Sequence, residues 1–190
     1  ADARLPLICL DADLRVTSDA LAALIIPFTD GRTLAACGQM QPDTDAASPL
    51  VRAYYRAWAL NPYFARGKFG GLFALSPEGA ARVFPLPEVT ADDEWVRRSF
   101  SETETACVGE CRWVAEAAHT VAALVAVRRR SLRGTRAVTS ELGRRQGSGT
   151  ARRMVRAAIS RPDRWADMAV FLAVATAVRF MLAVERPSDS

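Results

Sequence analysis

The sequence predicts an α/β domain, and three features of the chain indicate this class. A short apolar run, Leu5–Leu10, ends in two aspartates and leads at once into a helix that Thr17 or Ser18 can cap. A second apolar run, "GGLFAL", is followed by Ser76 and Pro77, which is a typical start of another helix. Of the 190 residues, 50% are hydrophobic, which is enough for one domain with its own core.

The other elements follow from local patterns along the chain. The apolar run Leu5–Leu10 is continuous, which favours a buried strand in a parallel or central position of a sheet. Cap residues, helical spacing of aromatic residues and breaks at Pro and Gly set the remaining bounds. They predict a strand in "TLAACGQMQ", helices at about Leu50–Leu60, after Ser76 and in "ADDEWVRRSF", a strand at Arg112–Glu116, and a helix at Val121–Arg133 that Thr120 caps and Gly134 ends.

The chain divides into three predicted parts. Residues 1–134 form the α/β part, and residues 135–160 form a basic segment that contains a helix and the Gly/Ser/Arg linker "GRRQGSGTARR". Residues 161–190 carry a hydrophobic helix and a tail.

The hydrophobic helix is predicted to associate with a membrane. The run Ala166–Val184 is nearly long enough to span a bilayer, but Arg179 would then be costly inside it. A helix lying in the membrane interface, with Trp165 and Arg164 at one end and Arg186 at the other, satisfies the same residues. A helix that packs on other protein elements is the alternative.

The charge of the chain is mostly arginine. The formal net charge is +4, Lys68 is the only lysine, and arginines concentrate between Arg128 and Arg164. Such a stripe suits phosphate, nucleic acid or an anionic membrane surface about equally well. One histidine and four scattered cysteines do not have the spacing of a structural zinc site, so we expect core thiols in a reducing compartment.

Asp11 and Asp13 directly follow the first strand, where open α/β sheets bind ligands. Residues i and i+2 of an extended chain point to the same side, so both carboxylates can bind one hard cation. Mg²⁺ or Mn²⁺ in this position would neutralise a diphosphate. An acidic surface turn is the alternative interpretation.

A second acidic cluster, Asp92, Asp93 and Glu94, opens the helix in "ADDEWVRRSF". Acids at a helix N-terminus are common for structural reasons, because they interact favourably with the helix dipole. Adjacent acids also raise one another's pKa, which makes a carboxylate a usable general base.

The order of these features resembles the second half of the catalytic domain of family 2 inverting glycosyltransferases, which have the GT-A fold. The likeness covers about residues 5–134: a DxD at a strand end, a Gly-Gly strand, an acidic pair at a helix start, and a helix with RxR near its end. It implies a partial GT-A fold that lacks its N-terminal nucleotide-binding half. The chain has no initiating Met and reaches its first strand within a few residues, so we expect it to be a piece of a longer protein.

The resemblance implies roles for the four aspartates. Asp11 and Asp13 would hold a divalent metal, Mn or Mg, together with the donor diphosphate. Asp93, with Asp92 beside it, would be the catalytic base that deprotonates the acceptor hydroxyl.

The resemblance also assigns two arginines and two glycines to the donor diphosphate or the acceptor. Arg128 and Arg130 match the arginines of the family's QRxRW motif, and Gly70 and Gly71 belong to its Gly-Gly strand. The glutamine and tryptophan of the motif are replaced here, which favours transfer of single sugars over processive synthesis.

The resulting expectation is a metal-dependent, inverting, non-processive glycosyltransferase. It would transfer a sugar from a nucleoside-diphosphate sugar to a hydroxyl of a saccharide or lipid-linked acceptor of the cell envelope. Its expected location is the cytoplasmic face of the cell membrane, held peripherally or by a single helix, and no nucleic acid partner is expected.

Two other functions fit parts of the same sequence. "LICLDADLRV" also looks like motif I of haloacid dehalogenase-like phosphatases, in which Asp11 would be the nucleophile, Asp13 the acid or base, and Lys68 the phosphate-binding lysine. Asp92 and Asp93 would then be magnesium ligands. The third possibility is a non-catalytic, basic, membrane-associated interaction domain whose acids only cap helices.

Overall fold

The structure of the chain is a computed structural model that describes residues 5–61, 67–89, 91–143, 156 and 161–185. Its strands are β1 (Leu7–Leu10), β2 (Leu14–Val16), β3 (Ala35–Asp43), β4 (Lys68–Leu75) and β5 (Thr105–Glu116). Its α-helices are α1 (Ser18–Ile25), α2 (Pro49–Trp58), α3 (Pro77–Val83), α4 (Asp92–Arg98), α5 (Val121–Leu142) and α6 (Trp165–Val184). Short 3₁₀ helices cover Ile26–Asp30 and Pro162–Arg164. The domain is mixed α/β, as predicted.

The five strands form one sheet in the order β1-β4-β3-β5-β2. β3 and β5 are parallel, and the other neighbours are antiparallel. The prediction of a parallel or central first strand is therefore wrong, because β1 is an antiparallel edge strand. Its side chains alternate in exposure, and Ile8 and Leu10 are 37% and 46% exposed.

Helices cover both faces of the sheet. On one face, Leu24 of α1 packs in a cluster with Trp113 of β5. On the other face, Val83 of α3 and Val96 of α4 pack in a cluster with Phe73 of β4. The second cluster fixes α4, and with it the acidic cluster at its N-terminus, above β4.

Three predicted helix caps are confirmed. The hydroxyl oxygen of Thr17 accepts a hydrogen bond from the Ala20 N–H at 3.2 Å, and that of Thr120 accepts one from the Ala123 N–H at 3.2 Å. The hydroxyl of Ser76 accepts from the Gly79 N–H at 3.0 Å. In each case a local hydrogen bond satisfies an otherwise unpaired helix N–H.

The predicted end of α5 at Gly134 is wrong, because the helix continues to Leu142. Gly134 is buried inside the helix, and a Cβ built on it would lie 2.9 Å from Cβ of Ala91. Glycine at this position therefore allows close contact with the residue before α4, rather than ending the helix. The predicted linker from residue 144 onward lies largely outside the described residues.

α6 packs on α2 and α5 through a core that includes Val51, Leu124 and Val178. A bidentate ion pair between α2 and α6 supports this packing. Arg56 donates from Nε and Nη2 to the carboxylate of Asp167 at 2.9 and 2.6 Å. The helical segment Pro162–Val184 is also long and apolar enough to be associated with a membrane. The large apolar side chains exposed on α6 are Trp165, Leu172, Phe180, Met181 and Val184.

The four cysteines are free thiols with different exposure. Cys37 and Cys111 are buried, as expected for core thiols, and Cys9 is half-buried. The expectation is wrong for Cys107, which is exposed. Cys107 lies where β5 is irregular, because its register with β3 shifts just after the Cys37–Cys107 pair.

Candidate functional site

Asp11 and Asp13 lie in the turn that joins β1 to β2. The Asp11 N–H donates to the Gly71 carbonyl at 2.9 Å, which ties the turn to β4. The prediction of extended chain at the two acids is wrong, because the strand ends at Leu10 and a turn follows. Burial raises the pKa of the Asp11 carboxyl, and the negative charges of Asp13 and then Asp92 raise it further.

Asp92 and Asp93 begin α4 and approach the same turn from the helix. Asp92 is exposed and is close enough to Asp11 to contribute to its raised pKa. Asp93 is half-buried, and its Oδ1 accepts the Glu94 N–H at 2.8 Å. Burial raises the pKa of Asp93, while this hydrogen bond and the charge of Lys68 oppose the rise.

Gly70 allows the Asp93 carboxylate to lie directly against β4. A Cβ built on Gly70 would be 2.6 Å from Oδ2 of Asp93 and 2.9 Å from Cε of Lys68. Any side chain at this position would therefore displace one of these two groups. Gly70 brings the acid and the lysine together over the strand.

Gly71 has a different structural requirement. Its φ is +95°, in the region that favours glycine, and a Cβ on it would lie 2.9 Å from Cδ1 of Leu14 and 3.0 Å from Cη2 of Trp113. Protein atoms thus fill the space beside both glycines. Gly70 allows the close approach of the Asp93 carboxylate, and Gly71 holds the Asp11 turn through its carbonyl.

Lys68, at the start of β4, adds a positive charge to this cluster. Burial lowers its pKa, and the charges of Asp93 and Asp11 raise it. Nζ lies 3.2 Å from Sδ of Met40 and 5.7 Å from the centre of the Trp113 ring. The resemblance to glycosyltransferases assigns no role to Lys68, although it is the only lysine of the chain and precedes Gly70 by two residues.

Arg128 reaches the cluster from α5, whereas Arg130 faces elsewhere. Arg128 is half-buried and contributes to the lowered pKa of Lys68, so the two cations are close. Arg130 is exposed, and two residues along an α-helix correspond to a rotation of about 200°. Two further arginines of α5, Arg129 and Arg133, form ion pairs with Glu185 at the end of α6.

Glu94, the third acid of the α4 cluster, is already paired within its own helix. Its carboxylate accepts from Nε and Nη2 of Arg97 at 2.6 Å each, and from Nε of Arg98 at 2.7 Å. These contacts leave Asp92 and Asp93 as the acids of α4 that face Asp11 and Lys68.

The fold thus places Asp11, Asp13, Asp92, Asp93 and Lys68 in one region, with Arg128 beside it. Among the residues that the structure describes, no three His, Cys, Asp or Glu side chains are arranged to hold a metal ion by themselves. A cation bound here would need further ligands, such as phosphate oxygens or water. Comparisons of the chain with protein-family models and with curated proteins found no match.

Proposed function

We propose that this chain contributes the metal, diphosphate and acceptor groups of an inverting, metal-dependent glycosyltransferase with a GT-A type of fold. The observation that supports the proposal is the meeting of two acidic segments that are distant in sequence. Burial and the negative charges of Asp13 and Asp92 raise the pKa of Asp11 in the β1–β2 turn, because they disfavour its ionised form. A divalent cation relieves this type of repulsion.

Asp93 is the proposed general base. Burial raises its pKa, which strengthens the carboxylate as a proton acceptor compared with an exposed aspartate. The charge of Lys68 opposes this rise in pKa and so favours the ionised form. Asp93 would take the proton of an acceptor hydroxyl of a saccharide or lipid-linked substrate as that oxygen attacks the anomeric carbon, and one such displacement inverts the configuration.

Asp11 and Asp13 are the proposed ligands of Mg²⁺ or Mn²⁺. Two carboxylates without a third protein ligand fit a cation that completes its shell with substrate phosphates, which is the usual arrangement for Mg²⁺. When bound, the ion would supply positive charge to the departing nucleoside diphosphate. Arg128 would add a second positive group for this anion, and the exposed Arg130 is left out of the proposed site.

Manganese-dependent binding of nucleoside-diphosphate sugars tests the proposal. Asp13→Asn should weaken binding in the presence of Mn²⁺ by about tenfold or more, because one of two metal-ligating carboxylates is lost. Binding without Mn²⁺ should be weak in both proteins. Isothermal titration calorimetry over a panel of UDP-, GDP- and dTDP-sugars measures the difference.

Glu78→Gln provides the control, since it removes an exposed acid from α3 without altering the β1–β2 turn. This variant should bind like the unaltered protein. Binding that is absent for the whole panel, or that Asp13→Asn leaves unchanged, would contradict the transferase proposal.

The phosphatase alternative gains one observation, because Lys68 is near enough to Asp11 and Asp93 to affect the pKa of both, as a phosphate-binding lysine would be. The position of Asp92 and Asp93 counts against it, since they begin a helix rather than follow a strand. An aspartyl-beryllofluoride adduct on Asp11, together with hydrolysis of a generic phosphate ester, would favour the phosphatase over the transferase.

We also propose that the exposed side of α6 lies on the cytoplasmic face of the cell membrane. Phe180 is 68% exposed and Trp165 60% exposed, whereas Val178 and Leu182 face α2 and α5. A helix that packs on protein by one side and exposes apolar groups on the other suits the membrane interface, with no need to bury Arg179.

Phe180→Glu should therefore reduce binding to anionic vesicles. Vesicles of phosphatidylglycerol and phosphatidylcholine, sedimented with the protein, measure the bound fraction. Ala81→Glu, which places the same charge at an exposed site of α3, is the matched control and should bind nearly as well as the unaltered protein. Equal losses in the two variants would show only a charge effect and would contradict an interfacial role for α6.

A further inference from the structure

Two cysteine thiols meet across the parallel strands β3 and β5. Cys37 and Cys107 are register partners in this pair of strands, so their Cα atoms lie at the spacing of neighbouring strands, about 4.8 Å. This spacing falls within the range that a disulfide bridges, about 4.4–6.8 Å between Cα atoms. The geometry of the backbone is thus compatible with a bond between the two sulfurs.

Gly67 leaves the space around the two sulfurs open. A Cβ built on Gly67 would be 2.7 Å from Sγ of Cys37 and 2.7 Å from Sγ of Cys107. Both sulfurs therefore border one small volume, and they can be no further apart than twice this distance. Gly67 has φ of +77°, so its backbone also favours glycine here.

The two thiols have unequal surroundings. Cys107 is exposed, and a hydrogen bond from the Cys37 thiol, assisted by the side chain of Gln39, lowers its pKa to about 7. The same hydrogen bond and burial raise the pKa of Cys37, which is 1% exposed, while Arg97 of α4 opposes the rise. An exposed thiolate beside a buried partner thiol is the pattern of redox-active pairs.

We propose that Cys107 and Cys37 form a redox modification site that a hydroperoxide converts to a disulfide, with Cys107 as the attacking thiol and Cys37 as the resolving thiol. This proposal does not depend on the proposed glycosyltransferase activity. Cys111, on the same strand as Cys107, and Cys9, on β1, are not part of the pair.

The reaction balances in two steps. The Cys107 thiolate attacks one oxygen of the hydroperoxide, the O–O bond breaks, and Cys107 becomes a sulfenic acid while the departing oxygen takes up a proton to leave as water or an alcohol. The Cys37 sulfur then attacks the sulfenic sulfur, the S–O bond breaks, and hydroxide leaves with the Cys37 proton as water. Two thiols are oxidised to one disulfide as one peroxide is reduced.

Hydrogen peroxide treatment followed by alkylation and peptide mass spectrometry tests this site in the whole chain. The expected product is a Cys37–Cys107 linked peptide, lighter by two hydrogen atoms and reversed by dithiothreitol. Cys9→Ser/Cys111→Ser should form the same link. Cys37→Ser should instead accumulate a dimedone-reactive sulfenic acid on Cys107, because the resolving thiol is missing.

A measurement on the unaltered protein avoids any loss of folding in the variants. Iodoacetamide should modify Cys107 at pH 7 about tenfold or more faster than Cys111, because only Cys107 carries a substantial thiolate fraction at that pH. A Cys107–Cys111 link, irreversible oxidation of Cys107 without a link, or alkylation and oxidation rates at Cys9 or Cys111 equal to those at Cys107 would each overturn the proposal.

Discussion

Replacing Asp93 with asparagine should lower sugar transfer by about 10²- to 10⁴-fold, which is the usual contribution of a general base. Asparagine has nearly the same shape but cannot accept the hydroxyl proton. Binding of the donor should change little, since the proposed metal and diphosphate ligands are Asp11, Asp13 and Arg128. Initial rates with a donor identified by the binding panel, combined with its dissociation constant, separate the two effects.

The pH dependence of the rate gives a second measure of the same residue. The base must be ionised, so the rate falls as pH decreases through the pKa of Asp93. Burial raises this pKa, and the fall should therefore occur at a higher pH than for an exposed aspartate. In Asp93→Asn this acidic limb should disappear from the residual activity.

Asp92→Asn is the matched control for the base. It removes the same charge from the adjacent, exposed residue of α4, while Asp93 keeps its place against Gly70 and Lys68. Its loss should be much smaller than that of Asp93→Asn. Similar losses in the two variants would indicate that only the total charge of the helix start matters, and would remove Asp93 as the base.

Gly79→Ala should destabilise the fold by about 3 kcal/mol or more, the upper range for overpacking a dense core. A Cβ on Gly79 would lie 2.2 Å from the carbonyl oxygen of Leu34. That atom belongs to the backbone, so it cannot turn away as the end of a flexible side chain can. In an ordinary helix the same change would instead stabilise by about 1 kcal/mol, so the sign of the effect identifies the close contact.

Urea unfolding followed by circular dichroism measures this change. Gly109→Ala is the control, because nothing lies within 4 Å of a Cβ built on Gly109 and its φ is not in the region that favours glycine. We expect this variant to unfold at nearly the same urea concentration as the unaltered protein. If Gly79→Ala were as stable as Gly109→Ala, the packing of α3 against the residue before β3 would have to be different.

The sequence predicted best what depends on near neighbours in the chain. Thr17, Ser76 and Thr120 cap helices through hydrogen bonds to residues three positions later, and these patterns are visible locally. The edge position of β1 could not be predicted, because it depends on pairing with β4, about 65 residues further along the chain. A continuous apolar run is compatible with either position.

The end of α5 could not be predicted from the local sequence at Gly134 either. Glycine after a helical segment usually ends the helix, but here α5 continues through Gly134, where a side chain would meet Ala91, which is distant in sequence. The candidate site shows the same dependence on distant contacts. Its acidic motifs are recognisable from their residue types. The position of Lys68 near Asp93 and Asp11 depends instead on how β4, α4 and the β1–β2 turn pack. The turn at Asp11 and Asp13 also differs from the extended chain that the sequence predicts, because β1 ends at Leu10.

The parallel pairing of β3 with β5 has a consequence for how the chain folds. Ala35 pairs with Thr105, so the pairing closes a long loop that contains all of β4 and α4. Closing such a loop costs chain entropy before the contacts form, and sheets rich in distant pairings fold slowly. Asp93 and Lys68 lie inside this loop, and Asp11 lies before it. The segments that carry Asp11, Lys68 and Asp93 are distant from one another in the unfolded chain, so the proposed site cannot form before they pack together.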